Sequence, residues 1–280
     1  SNMISTVSPT YAKEIQYEYA GYELAPLIRA RKDSLLGILN GVDTVRWDPD
    51  TDKAIAQTFN AYSVTEKRLE NKRNLQYRSS LPIQDDTMLV GVISRLTWQK
   101  GFDLAVPAMR SLLEKANVQF VILGTGDPDI EHAIHLLEDD YPDHIRAYLE
   151  FDAALSRQIY AGSDLFLMPS HFEPCGMGQM LAMRYGALPL VRETGGLADT
   201  VVNYDGGAAD GGTGFVFAEE SQQAVLGTLE WALETYTERP QAWRRMQRRA
   251  MLSDFGWDAS ARQYRQLYQQ AMHKRKEPAQ

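Results

Sequence analysis

Two short stretches carry residue types suited to binding an anionic ligand. The first is His171-Phe172-Glu173-Pro174-Cys175-Gly176-Met177-Gly178-Gln179, which follows the apolar run Leu165-Phe166-Leu167-Met168-Pro169 and opens a helical stretch from about Gly176 to Tyr185. A carboxylate and several backbone N–H groups are thus held where a strand ends and a helix begins. Unpaired amides and the helix dipole both favour negative charge there. The second is Ser94-Arg95-Leu96-Thr97-Trp98-Gln99-Lys100-Gly101, two cations on one loop after the apolar run Met88–Ile93. A forked guanidinium and a compact ammonium together suit a diphosphate.

Three more strand ends carry related features. Gly124-Thr125-Gly126-Asp127 is a tight turn that lets backbone approach a ligand closely. Phe151 stands after the next strand; its type alone suits a core, and its place suits stacking on a nucleobase. Glu193-Thr194-Gly195-Gly196-Leu197 follows the apolar run 188–191. One such loop would read as an ordinary surface loop of mixed charge. Five in register point to one ligand crevice outside the carboxyl ends of a parallel sheet.

The elements that must position these groups repeat from residue 88 onward. Apolar strands are expected at 88–93, 118–123, 145–150, 165–168, 188–191 and 213–217. Helices are expected between and after them at 102–115, 128–139, 153–161, 176–185, 196–203 and 220–236. Near-continuous apolar strands alternating with helices imply an α/β fold, a Rossmann-like parallel sheet with helices on both faces. Helices at 240–252 and 257–274 follow. The stripe Trp257, Ala261, Tyr264, Leu267, Tyr268 and Ala271 reads as core or docking surface. Before residue 80 no βα repeat is evident. Val7–Thr10 reads as the end of a strand, 11–19 as a helix, and 62–74 as a charged helix; residues 205–214 read as a surface loop.

Composition narrows the function classes. The chain has 280 residues, 44% hydrophobic and 24% charged, which suits a soluble protein with no membrane span or signal peptide. A net charge of −8 argues against general nucleic-acid binding, so any phosphate site is local. Arg244, Arg245, Arg248 and Arg249 read as a solvated helix face. The single cysteine, Cys175, leaves no internal disulfide and reads as a small buried residue rather than a catalytic thiol. The five histidines show no metal-ligand spacing. His132 and His135 suit a solvated helix face, and His171 either a structural hydrogen bond or a ligand contact. Gly124–Asp127 is no dinucleotide fingerprint, and no P-loop is present. Neither a metal nor a cofactor is expected.

Taken together, the motifs Val7-Ser8-Pro9-Thr10-Tyr11-Ala12, Leu39-Asn40-Gly41-Val42-Asp43, Ser94–Gly101, Gly124–Asp127, Phe172–Gly176 and Leu188–Val201 resemble the carboxyl-terminal half of bacterial glycogen synthase and plant starch synthase. They occur in family order across nearly the whole chain. These relatives are retaining glycosyltransferases of the GT-B fold. The resemblance implies a donor-nucleotide domain that binds ADP-glucose and serves an α-1,4-glucan acceptor. It implies that Arg95 and Lys100 hold the diphosphate, that Glu173 orients the glucosyl hydroxyls, and that the amides of Cys175, Gly176 and Met177 meet the sugar and distal phosphate. Asn40, with Gly41 beside it, would reach the sugar side. Gly124 would line the nucleotide pocket, Phe151 would stack on adenine, and Thr194 and Gly195 would meet the phosphate.

Fixed cations aimed at a leaving diphosphate would supply most of the catalysis. Retention resembles same-face attack, with no nucleophile assigned to Glu173. Related transferases often carry a second glutamate where this chain has Leu181, which favours the synthase branch. The family's amino-terminal domain, with its glycine-rich lysine motif, has no counterpart here, so the chain is expected to be a partial, inactive donor half. The implied division is 1–40 as the end of the first domain and the connection, 41–256 as the donor domain, and 257–280 as a helix packing toward the missing domain. A cytoplasmic location is expected, or the plastid stroma for a plant protein. The alternatives are another retaining transferase using UDP-glucose, directed to sucrose or a phosphosugar, and a non-catalytic nucleotide-binding module. With a partner domain missing, the faces around Tyr17, Tyr19, Tyr22 and Leu24 are expected to be exposed.

Overall fold

The structure, a computed structural model, describes residues 2–207 and 211–276. The chain opens with β1 (Ile4–Thr6), α1 (Pro9–Glu14), α2 (Glu18–Gly21), α3 (Ala25–Ala30) and β2 (Leu35–Gly37), and β1 pairs in parallel with β2. After an irregular connection come α4 (Val64–Lys67) and α5 (Leu69–Arg78). The βα series then runs β3 (Met88–Ile93), α6 (Phe102–Leu113), β4 (Val118–Leu123), α7 (Pro128–Asp140), β5 (Ile145–Tyr148) and α8 (Ala153–Gly162). It continues with β6 (Leu165–Met168), α9 (Gly178–Arg184), β7 (Leu188–Arg192), α10 (Gly195–Thr200) and β8 (Phe215–Phe217). Three helices follow: α11 (Gln222–Glu238), α12 (Pro240–Met251) and α13 (Trp257–Lys276).

Six strands form one parallel sheet in the order β5-β4-β3-β6-β7-β8. The chain starts at the middle with β3, winds outward through β4 and β5, then crosses to β6 and winds outward the other way. The reversal lies between β3 and β6, the place where open α/β sheets bind ligands at the strand carboxyl ends. β3 and β4 are buried almost throughout, because helices cover both faces. One face packs α6, α11 and α12 through Phe102, Met109, Leu229, Trp243 and Met246. The opposite face packs α5, α8 and α9 through Leu75, Leu155, Ile159, Met180 and Tyr185. Side-chain caps define several helix starts: Asp127 before α7, Asp152 before α8 and Ser221 before α11 each accept from an amide of the first turn.

Several sequence expectations change, among them the helix expected over 11–19, which is broken into α1 and α2, and the strand expected at 213–217, which begins at Phe215. Val7–Thr10 ends no strand; β1 stops at Thr6, and the Ser8 hydroxyl caps α1 by accepting from Tyr11 N, with Pro9 preset for the first helical position. α9 starts at Gly178 rather than Gly176, since Gly176 adopts a left-handed φ of +66°. β5 ends two residues early, at Tyr148. The charged helix is two helices, and its cations are not all solvated. Arg68 and Lys72 are buried, with Lys72 Nζ 2.8 Å from Asp164 Oδ2 and Arg68 Nη1 3.8 Å from Asp164 Oδ1. Burial pushes the Arg68 guanidinium down to about 10, with Asp164 opposing the shift, so it stays charged near neutrality. Of the expected loop at 205–214, residues 208–210 lie outside the described residues.

Other readings hold. His132 and His135 are exposed, and Cys175 is buried. Tyr17, Tyr19, Tyr22 and Leu24 are each 58–67% exposed. In the α13 stripe Leu267 is buried, whereas Trp257 and Tyr268 are exposed.

Candidate functional site

The loop after β3 begins the site. Trp98–Lys100 forms a single 3-10 turn closed by Gly101 at φ +74°, where a Cβ would stand 2.0 Å from the Pro169 carbonyl oxygen. Only glycine lets this loop touch the one after β6 so closely. The result is that Lys100 Nζ lies 2.5 Å from Glu173 Oε2, with side chains 16% and 8% exposed. The Ser170 hydroxyl donates to the same oxygen at 3.1 Å. Glu173 is therefore a buried carboxylate whose partners fix its direction.

The backbone of the 169–176 loop is tied down from several sides. His171 N donates to Gln99 O, and Gln99 Nε2 donates to Phe172 O. Arg192, at the end of β7, donates to the carbonyls of Ser170 and His171. Gly196 N donates to Glu173 O at 3.0 Å, and a Cβ on Gly195 (φ +44°) would stand 1.9 Å from that oxygen. The start of α10 thus abuts the Glu173 loop.

The remaining predicted residues fall around this centre. Arg95 is exposed at the rim, its Nη2 3.3 Å from Gln99 Oε1. Gly124 backs onto the Ser94 carbonyl, where a Cβ would stand at 1.8 Å, so the β3 and β4 loops touch through it. Cys175 is buried beside the Asn40 backbone amide, which brings the 39–43 connection to the site, and Gly41 packs against Trp257. Burial pushes the Cys175 thiol up, with the Glu173 and Asp199 charges adding and the Asn40 amide opposing. That environment suits packing rather than nucleophilic attack. Met177 is 40% exposed at the mouth, and Phe151, after β5, is 93% exposed at the outer end of the row. Thr194 Oγ1 and Gly195 N both donate to Glu14 Oε1, at 3.1 and 3.0 Å.

Residue reasoning missed Glu14, Ser170, Asp103, Glu220 and Arg192. Glu14 lies about 180 residues before its partners, so no local pattern marks it. Ser170 had a signal, a hydroxyl three residues before a buried carboxylate. His171 takes the structural option: its ring is bonded at both nitrogens and stacks under Trp98. Among the described residues no cluster of three or more His, Cys, Asp or Glu could hold a metal, and no helix is long and apolar enough to cross a membrane. The arrangement can hold a dianion against Arg95 and Lys100 while a hydroxyl-bearing group sits against Glu173.

Cations and a carboxylate thus stand together at the switch point of a doubly wound sheet. The family described as glycosyl transferases group 1 matches residues 74–250, and the chain belongs to it. Similar proteins include the glycogen synthase of Streptococcus gordonii, 47% identical over 269 residues, and that of Bacillus cereus strain B4264, 44% identical over 272. The matches cover 96% and 97% of this chain but 56% of each relative, so the chain spans about half the length of these proteins. The catalytic domain of starch synthase IV from Arabidopsis thaliana, solved with ADP and acarbose, superposes with a TM-score of 0.90 at 39% identity. It covers 98% of this chain and 56% of that one. Sucrose-phosphate synthase from Thermosynechococcus elongatus, at 20% identity and a TM-score of 0.64, shares the fold; 98% of this chain and 59% of that one are covered.

Proposed function

We propose that this chain is the donor-binding half of a glycogen or starch synthase, which transfers glucose from ADP-glucose to the non-reducing end of an α-1,4-glucan with retention. The observation that carries the reading is the Lys100–Glu173 pair at the switch point, with Arg95 on the same loop. The synthase relatives and the ADP-bound starch synthase neighbour support it.

In this reading Arg95 and Lys100 hold the diphosphate and stabilise the charge that grows as the C1–O bond breaks. Lys100 has three donors, so it can keep Glu173 and still meet a phosphate oxygen. Glu173, held by Lys100 and Ser170, accepts from sugar hydroxyls and orients the ring. Amides of Cys175, Gly176 and Met177 meet the sugar and the distal phosphate. Asn40 and Gly41 approach from the connection, Gly124 lines the nucleotide pocket, and Phe151 stacks on the base. The acceptor hydroxyl attacks from the face the diphosphate leaves, and a departing phosphate oxygen takes its proton. Thr194 and Gly195 reach the phosphate only if Glu14 yields them.

The division at residues 40 and 256 is supported by the parallel bridge of Val42 with Gly256, which brings the two ends of the proposed donor domain together. The acceptor half of the cleft belongs to the part of the relatives that this chain does not span, and a cytoplasmic location suits such an enzyme. Calorimetric titration of the chain with ADP and then UDP tests the reading. Tighter binding of ADP, weakened in Lys100→Ala, supports it. Equal or absent binding of both counts against ADP-glucose as donor, and glucan elongation by this chain alone would overturn the half-site reading.

A further inference from the structure

His171 is buried two residues before Glu173 and is held by side chains from outside its own loop. Its Nδ1 is 2.6 Å from Glu220 Oε1 and its Nε2 is 2.8 Å from Asp103 Oδ1. Both ring nitrogens thus lie within hydrogen-bonding distance of a carboxylate oxygen. The ring is 5% exposed and stacks at 4.2 Å, 15° from parallel, on Trp98. Each partner comes from a different part of the site. Trp98 and Asp103 flank Lys100, His171 itself precedes Glu173 by two residues, and Glu220 follows β8. Arg192 completes the group, with Nη2 3.6 Å from Glu220 Oε2 and a bond to the His171 carbonyl. The imidazole is thus the only buried ring among the described residues shown bonded to carboxylates of two other elements beside this crevice.

We propose that His171 is a positioning residue for donor binding: pinned between Asp103 and Glu220, it sets the spacing of the Lys100 loop and the Glu173 loop. This rests on the reading of the crevice as a nucleoside-diphosphate site. Asp103 and Glu220 are 42% and 46% exposed, so both can hydrate if the ring is replaced. The two loops then lose one of the links between them, while the Lys100–Glu173 and Gln99–Phe172 contacts remain. An arginine keeps the donor capacity, because its planar fork can donate to two carboxylates.

The test compares the chain with His171→Phe, His171→Arg and the double variant Asp103→Ala/Glu220→Ala. ADP titration is expected to be about tenfold weaker in His171→Phe and in the double variant, and within about twofold of the original in His171→Arg. Unchanged ADP affinity in a folded His171→Phe chain, or failure of His171→Arg to restore it, would overturn the proposal. Should His171→Phe not fold, the double variant decides alone. Hydrogen exchange separates this proposal from the donor-site reading. If the unsubstituted chain binds no ADP, the donor reading fails, and the brace stands only if His171→Phe speeds exchange at both 95–101 and 169–176 and His171→Arg reverses it. Unchanged exchange in both loops would sink it.

Discussion

Lys100 Nζ rests 2.5 Å from Glu173 Oε2, although 73 residues separate the two along the chain. The contact exists because β3 and β6 are neighbours at the point where the sheet reverses its winding. It pairs a cation with a carboxylate at the switch point, so each fixes the other's direction.

Lys100→Ala removes a partner from a carboxylate that is 8% exposed. Ser170 remains as donor, so part of the penalty is relieved. Chemical denaturation should show a loss of about 1–3 kcal/mol. ADP affinity, read by calorimetry, should fall by about tenfold or more.

Gly101→Ala asks a side chain to adopt φ +74° and to stand 2.0 Å from the Pro169 oxygen. The two loops must separate, at a cost of about 1–3 kcal/mol, with weaker ADP binding. Gly227 is the control: it lies inside α11 with nothing within 4 Å of an added Cβ. Gly227→Ala should leave ADP binding unchanged and raise stability by about 0.5–1 kcal/mol.

Two short helices cap each other. Asp199 accepts from Ser8 Oγ, Thr10 N and Thr10 Oγ1 at 2.5, 3.0 and 2.6 Å, while Glu14 at the end of α1 accepts from the start of α10. Asp199→Ala should therefore loosen α1 more than the sheet. Amide exchange should rise over residues 9–14 while β3 and β4 stay protected, with a stability loss of about 1–2 kcal/mol.

Acid should weaken the connection at Asp52. Burial alone raises this carboxyl, but donation from Tyr185, Ala54 N and Arg157 outweighs it, so its pKa lies below the ordinary 3.8. A depressed carboxyl contributes stability above its unfolded pKa and loses it as pH falls through the lower folded value. The stability gap between the chain and Asp52→Asn should be full near neutrality and shrink only below about pH 4. A gap that does not begin to shrink as pH falls below the ordinary carboxyl value would contradict the assignment.

Lys72→Ala, at the opposite end of the sheet from the crevice, leaves Asp164 without its closest cation in a buried setting. A loss of about 3–5 kcal/mol is expected by denaturation. ADP affinity of the folded fraction should not change, which separates this ion cluster from the candidate site.

Period and punctuation made much of this protein legible. Unbroken apolar runs at 88–93 and 118–123, each followed by a helical stripe, specify parallel strands covered on both faces, because only such strands are apolar on both sides. Loops such as 94–101 and 172–176 then had to lie at one edge of that sheet, so Arg95, Lys100 and Glu173 could be grouped without coordinates. What only the tertiary structure decided is who touches whom. The spacing of Lys100 and Glu173, the occupation of Thr194 and Gly195 by Glu14, the pinning of His171 and the burial of Arg68 and Lys72 against Asp164 all join residues far apart in sequence. A charged residue reads as solvated until a partner from another element meets it, and local patterns follow the chain whereas such pairs are set by the winding order of the sheet.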